Sequence, residues 1–186
     1  TAALVGYRVS ELQLQRDTIV GKIAPADADL ALDLMWRFLD IAEPTFERCD
    51  DSSDHIGNVF REAVGDVGPI ASNATCRPAE LADIVFNRVK ANGCGVYDDL
   101  VPSLFPALGK EGASRLKEHL NAWRKESEGR AAAGEGNDAA SYRRDHDDIV
   151  IKLCFQQLAD AEGDVDAYIA THDETMLRNP AFASRI

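Results

Sequence analysis

The sequence is poor in aromatic residues and has no long apolar run. Phe, Trp and Tyr make up 7% of its 186 residues, so aliphatic side chains must provide most of the core packing. No apolar stretch approaches the ~18 residues that a membrane-spanning helix requires. The first residues also lack the basic segment and unbroken apolar stretch of a secretion signal. We therefore expect a cytoplasmic protein without a membrane span.

The cysteines show none of the short spacings that metal sites and redox motifs use. Cys49, Cys76, Cys94 and Cys154 lie far apart, without a CxxC pair. Cys49 and His55 are separated by five residues, and no second close pair of Cys or His completes a zinc site. A chain of this size does not need disulfide bonds for its stability, so we expect reduced thiols.

Positive charge is also in deficit. The 32 acidic and 20 basic residues give a formal net charge of −12. Such a surface repels phosphate backbones and anionic lipid headgroups, so neither nucleic acid nor a membrane is expected as a partner. Four cations do fall close together in sequence: Arg115, Lys117, Arg124 and Lys125. Three glutamates between positions 118 and 128 dilute this basic patch, which leaves the expectation unchanged.

Alternating β-branched residues bounded by hairpin turns are almost absent, which argues against a sheet. The clearest helical pattern follows an acidic break at residues 49–54 and has apolar residues at i, i+3, i+4 and i+7. These residues are Ile56, Val59, Phe60, Ala63, Val64, Val67, Ile70 and Ala71. Ser52 or Ser53 is expected to accept a hydrogen bond from the first turn of this helix, and Asp54 suits the positive end of its dipole.

Similar stripes predict the other helices. The helix over residues 25–41 is apolar nearly all round, so we expect it to be the innermost element. A short turn of helix at 44–48 precedes the acidic break. The remaining predicted helices cover residues 2–22, 78–92, 98–108, 110–128, 139–161 and 165–171. The inward residues expected in the helix over 139–161 are Ile149, Val150, Leu153, Phe155 and Leu158.

Proline and glycine set the expected breaks. A proline lacks the N–H group and clashes with the preceding turn, so Pro69 should bend or interrupt its helix and Pro106 should shorten or kink its own. Asn92 and Gly93 are expected to close the helix before them in the left-handed conformation. The glycine-rich and alanine-rich stretch at 129–138 cannot bury enough surface to offset its ordering entropy, which predicts a flexible loop.

The acidic break contains the candidate metal ligands Asp50, Asp51, Asp54 and His55. Compared with an EF-hand loop that starts at Asp50, His55 replaces the glycine at the sixth position and Arg61 replaces the terminal glutamate. A helix-capping turn explains the run better, so no metal is predicted there. The acidic cluster at 160–166 is interpreted in the same way, as a turn between helices.

Patterns typical of catalysis are weak. Gly134 and Gly136 have no strand before them and no Lys-Ser/Thr pair after them, so they do not form a phosphate-binding loop. Cys94 lies between two glycines and His146 among aspartates, but the sequence places no base beside the thiol. No catalytic or cofactor-binding residue is therefore predicted. The alternative hypothesis is an enzyme with a site between helices, for example for metal-assisted hydrolysis. Its site would be built from His55, His146, Cys94 and the aspartates.

Residues 50–57 resemble the DDSdG-x-hG segment, where h is hydrophobic, of an uncharacterised family of bacterial α-helical proteins. Residues 108–113 and 158–167 are similar to later segments of that family. The resemblance covers about residues 26–186 and implies a tetratricopeptide-like α-solenoid without catalytic residues. In some relatives the region follows a SWIM-type zinc finger, whose cysteines and histidine are missing here. His55 stands where relatives tend to have glycine, which changes the turn.

The sequence as a whole predicts an all-α protein with no sheet. We expect a right-handed α-solenoid or an irregular bundle of antiparallel helix pairs, with about eight to nine helices in one domain over residues 1–186. The chain starts without Met and ends inside a plausible helix, so it is expected to be a fragment or a processed chain. The predicted function is protein–protein interaction or scaffolding, with a protein or peptide partner, no cofactor and no small-molecule substrate.

Overall fold

The computed structural model describes residues 2–49, 54–132 and 138–172. These residues contain eight α-helices, one π-helical turn and no strand, which confirms the all-α class for the described part of the chain. The helices are Ala2–Thr18 (α1), Ala28–Asp40 (α2), Ala42–Arg48 (α3), His55–Ala71 (α4), Pro78–Lys90 (α5), Leu100–Ala132 (α6), Asp138–Glu162 (α7) and Val165–Ala170 (α8). The π-helical turn, Ile19–Ile23, continues α1.

Seven of the helices in the described residues have at least seven residues each, slightly fewer than the eight to nine predicted. The number is lower because α8 has only six residues and because α6 covers both helices predicted over 98–108 and 110–128. The two parts of α6 meet at a kink at Gly109, three residues after Pro106, where the backbone leaves the helical conformation with φ 54° and ψ −164°. Glycine permits this positive φ because it lacks a side chain. None of the helices in the described residues combines the length and apolarity that crossing a bilayer demands.

The chain divides into two compact units, Thr1–Gly112 (unit 1) and Ala113–Ile186 (unit 2). Unit 1 contains α1 to α5 and the beginning of α6. Unit 2 contains the rest of α6 together with α7 and α8. The single helical domain over residues 1–186 stays a prediction.

α4 forms the centre of unit 1. All eight apolar residues of its predicted stripe are buried, which confirms that prediction. The ring of Phe60 packs against Phe38 of α2 at a centroid distance of 5.2 Å and against Phe46 of α3 at 5.8 Å. Burying a side chain of this size contributes roughly 1.5–3 kcal/mol to folding. The three helices are therefore held together around one aromatic cluster.

α2 is less enclosed than its sequence predicts. Met35 and Leu39 are buried, but Leu30 is 48% exposed and Leu34 is half-buried. Ile41, which follows the helix, is 40% exposed. The expectation that this helix is the innermost element, enclosed on several sides, is therefore wrong. α4, α3 and the π-helical turn pack against α2, yet these contacts leave one strip of its apolar surface open.

Of the two outcomes predicted for Pro69, a bend or an interruption, the interruption is wrong, since α4 continues past Pro69 to Ala71. A proline at this position leaves the Gly65 carbonyl without its usual i+4 donor. The Ser103 hydroxyl of α6 lies 3.2 Å from that oxygen and 2.7 Å from the Val64 oxygen, to which it donates. A β-carbon at position 68 would overlap the Ser103 carbonyl, so the glycine there permits this close approach.

In unit 2 the stripe predicted for residues 110–128 is confirmed. Its four residues are all buried: Ala113, Leu116, Leu120 and Trp123. The indole N–H of Trp123 donates to the carboxylate of Asp147 in α7 at 3.2 Å. Arg130 donates to the same oxygen at 2.6 Å. This buried carboxylate connects α6 to α7.

The buried face of α7 differs from the predicted one. Among the described side chains of this helix, the buried apolar ones are Ile151, Cys154, Leu158 and Ala159, of which only Leu158 was predicted, whereas Ile149 is 66% exposed. The rest of the predicted stripe, Val150, Leu153 and Phe155, is half-buried. Asp147 lies one turn before Ile151 and must face inward to accept its two hydrogen bonds. That requirement orients the helix and turns Ile149 outward.

The loop predicted at 129–138 begins later than expected, because α6 continues through Ala132. Arg130 and the two alanines after it are strong helix formers, which explains the extension. Residues 133–137 lie outside the described part, and α7 begins at Asp138.

Candidate functional site

A cavity of about 360 Å³ lies in unit 1 among α2, α3, α5 and the loop at residues 91–99. We call it the Arg88 cavity. Its polar lining consists of Asp40, Glu43, Asn87, Arg88, Asn92, Cys94 and Tyr97. The apolar lining consists of Leu39, Ala42, Ile84 and Ala91. The cavity thus brings together a thiol, a phenol, two amides and three charged groups.

Arg88 of α5 organises this cavity. Its guanidinium donates to the Asp40 carboxylate at 2.6 Å and to the Tyr97 phenol oxygen at 2.8 Å. The guanidinium carbon lies 4.4 Å from the ring centroid of Trp36 and 5.6 Å from that of Tyr97, within the range of cation–π attraction. Only 18% of the Arg88 side chain is exposed. Arg88 therefore connects α5 to α2 and to the loop.

The loop at residues 91–99 is fixed by the buried side chain of Asn92. Its amide donates to the Asp98 carboxylate at 2.7 Å, and its oxygen accepts from the backbone N–H of Tyr97 at 3.2 Å. Gly95, with φ +73°, makes the left-handed turn. The prediction that Asn92 and Gly93 close α5 in the left-handed conformation is therefore wrong. Asn92 bonds across the loop instead, and the positive φ is two residues further along.

The phenol of Tyr97 stays protonated at neutral pH. Burial raises its pKa above the ordinary value of 10.0, the Arg88 guanidinium opposes this rise, and the negative charge of Asp40 adds to it. Since the phenol oxygen accepts from Arg88, its own hydrogen can be donated to another acceptor. The cavity can therefore offer a neutral hydrogen-bond donor next to a thiol.

A second depression in unit 1 is an apolar groove of about 530 Å³ between the end of α1, the π-helical turn and α2. Its apolar lining consists of Leu14, Ile19, Ile23, Leu34, Phe38 and Ile41. Gln15, Thr18 and Arg37 are its polar residues. The π-helical turn contributes Ile19 and Ile23, and π-helical turns often occur at functional sites. Leu34 in the exposed apolar strip of α2, and Ile41 directly after the helix, thus form one wall of this groove.

Residues 7–186 match a family model described as a family of unknown function (DUF6880). The chain belongs to this family. The match confirms the expected membership of an uncharacterised family and begins closer to the amino terminus than the resemblance over residues 26–186. No curated protein and no solved structure gave a significant match. The Arg88 cavity and the apolar groove both fall within the DUF6880 segment.

Of the candidate metal ligands in this DUF6880 member, Asp50 and Asp51 lie outside the described residues, as do the proposed capping serines. Asp54 precedes α4 with φ 57°, and its side chain makes no capping hydrogen bond. Its carboxylate instead pairs with Arg61, which also donates to the Asn58 side chain at 2.7 Å. His55 is the first residue of α4. The described residues contain no group of three or more His, Cys, Asp or Glu that could hold a metal ion.

Two of the remaining sequence candidates have structural roles, and the other two lie in different units. Asp164 caps α8 by accepting from the Ala167 N–H at 3.0 Å, and Glu162 pairs with Lys117 at 2.5 Å, which agrees with an acidic turn between helices. Cys94 is exposed and lines the Arg88 cavity in unit 1, whereas His146 is half-buried on α7 in unit 2. The Cys94 thiol therefore shares a cavity with acids and a phenol.

The sequence did not single out Arg88 or Tyr97, and it assigned Asn92 only to the end of a helix. Two signals were available. Tyr97 is the one aromatic residue in the loop at 91–99, and Asn92 belongs to the residue types whose side chains hydrogen-bond to nearby backbone. Arg88, in contrast, carries no local signal, because its partners lie on α2 and in the loop.

Proposed function

We propose that this DUF6880 member is a protein-interaction domain that binds an amphipathic helix of a partner protein in the apolar groove of unit 1. The observation that carries the proposal is the exposure of apolar side chains in that groove. Leu14 is 67% exposed and Ile41 is 40% exposed, and both line the groove beside the half-buried Leu34. A contiguous patch of exposed apolar side chains on a protein surface often marks a site of interaction with another protein.

The shape and charge of the groove favour one kind of occupant. A groove between helices receives apolar side chains spaced i, i+3, i+4 and i+7 on one helix of the partner. At the rim, Gln15 and Thr18 are neutral, and the charge of Arg37 is paired with Asp33 at 2.9 Å. The chain as a whole carries a net charge of −12. A helix whose apolar face is flanked by lysine or arginine therefore fits best.

Fluorescence polarisation with a labelled amphipathic peptide of leucine and lysine tests the proposal. Leu14→Glu and Ile41→Glu each place a charge in the groove and should weaken binding roughly tenfold or more. Leu30→Glu is the matched control, because Leu30 is 48% exposed and does not line the groove. It should bind the peptide at least as tightly as the unchanged protein does.

Equal weakening in all three variants would contradict the proposal, since binding would then not depend on the groove. Self-association that is lost in Leu14→Glu would instead identify a second copy of the chain as the occupant, and light scattering detects it. A photo-crosslinking residue at position 14, compared with one at position 30, would identify the partner in cells.

We also propose a tetratricopeptide-like helix arrangement and a cytoplasmic location for this protein. The succession of amphipathic helices joined by short turns supports a tetratricopeptide-like arrangement. The relation to the carboxy-terminal helical region of SWIM zinc-finger proteins rests on the sequence resemblance alone. The four cysteines, all in the described residues, form no disulfide bond, which fits a reducing compartment such as the cytoplasm. An enzyme with a site between helices is the competing hypothesis, and a stoichiometric metal in elemental analysis would favour it.

A further inference from the structure

We propose that unit 2 binds a small phosphate-bearing ligand in a cavity of about 360 Å³ among α6, α7 and α8. We call it the cationic cavity. All three charged residues that line it are positive: Lys117, Arg124 and Lys152. Phe155, Thr171 and three alanines complete its lining. Such a cavity is unexpected in a chain with a net charge of −12.

Contacts along α6 and α7 place the cations in register. The two helices run antiparallel, because Lys117 pairs with Glu162 at 2.5 Å whereas Arg130 pairs with Asp147 at 2.6 Å. Between these contacts, the guanidinium carbon of Arg124 lies 4.6 Å from the centroid of the Phe155 ring. Lys152 precedes Phe155 by three residues, about one helical turn on the same face. Arg124 and Lys152 therefore approach the same end of the cavity.

The cations differ in whether their charge is already neutralised. Lys117 is paired with Glu162. Within the described residues neither Arg124 nor Lys152 forms an ion pair, and Arg124 has only its contact with the Phe155 ring. The carboxylate of Asp164 in the nearby turn accepts from the Ala167 N–H, and Asp164 does not line the cavity. Within the described part of the chain, two positive charges are thus left for a ligand.

A phosphate group matches this arrangement better than a carboxylate. Its charge of about −1.5 to −2 at neutral pH balances two cations, and its oxygens suit the planar donor fork of arginine. The Thr171 hydroxyl already donates to the Tyr168 carbonyl at 2.6 Å, so recognition depends on Arg124 and Lys152. The alanines and the half-buried Phe155 leave room for a small apolar part of the ligand.

The sequence predicted no small-molecule substrate. The net charge of −12 describes the whole chain, whereas a ligand in a cavity of this size responds to the few charges that line the cavity. The sequence did show part of the cluster, since Lys117 and Arg124 belong to the diluted basic patch. Lys152 joins them only through the packing of α7 on α6.

Isothermal titration calorimetry of the full chain tests the proposal, with inorganic phosphate and pyrophosphate as probes at constant ionic strength. Pyrophosphate should bind, and Arg124→Gln and Lys152→Gln should each weaken it roughly tenfold. Lys125→Gln is the matched control, because Lys125 neighbours Arg124, is exposed and does not line the cavity. It should bind pyrophosphate as the unchanged protein does, and circular dichroism should show that all three variants are folded.

Three results would overturn the proposal. The first is an absence of binding by both probes at millimolar concentration. The second is a loss of binding in Lys125→Gln equal to that in Arg124→Gln. The third is tighter binding of a short glutamate peptide than of pyrophosphate, which would make the cavity a site for acidic peptides. The outcome is independent of the proposed function, because Leu14→Glu should not change pyrophosphate binding and Arg124→Gln should not change binding of the helical peptide.

Discussion

The Arg88 cavity and the cationic cavity have the same volume, about 360 Å³, but their arginines are used in different ways. Arg88 donates to Asp40 and Tyr97 and lies against the ring of Trp36. Arg124 has only the Phe155 ring beside it, within the described residues. A charged side chain in a cavity therefore indicates a ligand only when other groups of the protein do not already accept its hydrogen bonds.

The largest expected effect is a difference in the free energy of unfolding between Arg88→Ala and Arg124→Ala. Arg88→Ala should lower the free energy of unfolding by about 2–3 kcal/mol, because it removes a cation–π contact and two hydrogen bonds from a largely buried side chain. The Asp40 contribution is small, since 59% of that side chain is exposed. Arg124→Ala should cost less than about 1 kcal/mol, because its ring contact is at the surface.

Urea denaturation followed by far-UV circular dichroism measures both free energies. Because the chain has two units, tryptophan fluorescence should be recorded as well: Trp36 reports on unit 1 and Trp123 on unit 2. An equal loss of unfolding free energy in the two variants would contradict the comparison, because Arg124 would then contribute as much to stability as Arg88 does.

A smaller effect is expected for the residue that holds the loop of the Arg88 cavity. Asn92→Ala should lower the free energy of unfolding by about 1–2 kcal/mol, because it removes the bond to Asp98 and leaves the Tyr97 N–H without its acceptor. Asn87→Ala is the control in the same cavity, since Asn87 is exposed and no side-chain hydrogen bond involves it in the described residues. The same urea titration applies, and a loss in Asn87→Ala as large as in Asn92→Ala would contradict the assignment.

The helices were predictable from the sequence because their apolar stripes are local. The buried faces of α4 and of residues 113–123 follow the i, i+3, i+4 pattern directly. Predictions failed where a distant residue decides the outcome. Pro69 stays within α4 because the Ser103 hydroxyl contacts the Val64 and Gly65 carbonyl oxygens, the second of which lacks its usual donor. The buried face of α7 is set by Asp147, whose carboxylate must point inward to accept a hydrogen bond from Trp123.

The cavities were harder to predict for the same reason. Cys94 was recognised as a candidate from its glycine neighbours, and it does line the Arg88 cavity. Arg88 itself is joined to Asp40 across 48 positions of the chain, and no local pattern records such a pairing. Lys152 likewise joins Lys117 and Arg124 only when α7 packs on α6.

The smallest expected effect concerns the phenol that Arg88 holds. Tyr97→Phe removes one hydrogen bond and should cost less than about 1 kcal/mol at neutral pH. Because burial raises the pKa of Tyr97 above 10.0 in the folded state, its contribution is complete below the unfolded value and is lost as pH rises through the folded one. The stability difference between the protein and Tyr97→Phe should therefore shrink above pH 10.0.

Ultraviolet titration of the phenols is a second test, and Tyr97→Phe should lose one late ionisation step. Subtracting the titration curve of the variant from that of the unchanged protein separates Tyr97 from Tyr7, whose pKa is raised by Glu11. An unchanged late step would show that Arg88 and the cavity do not hold this phenol as described.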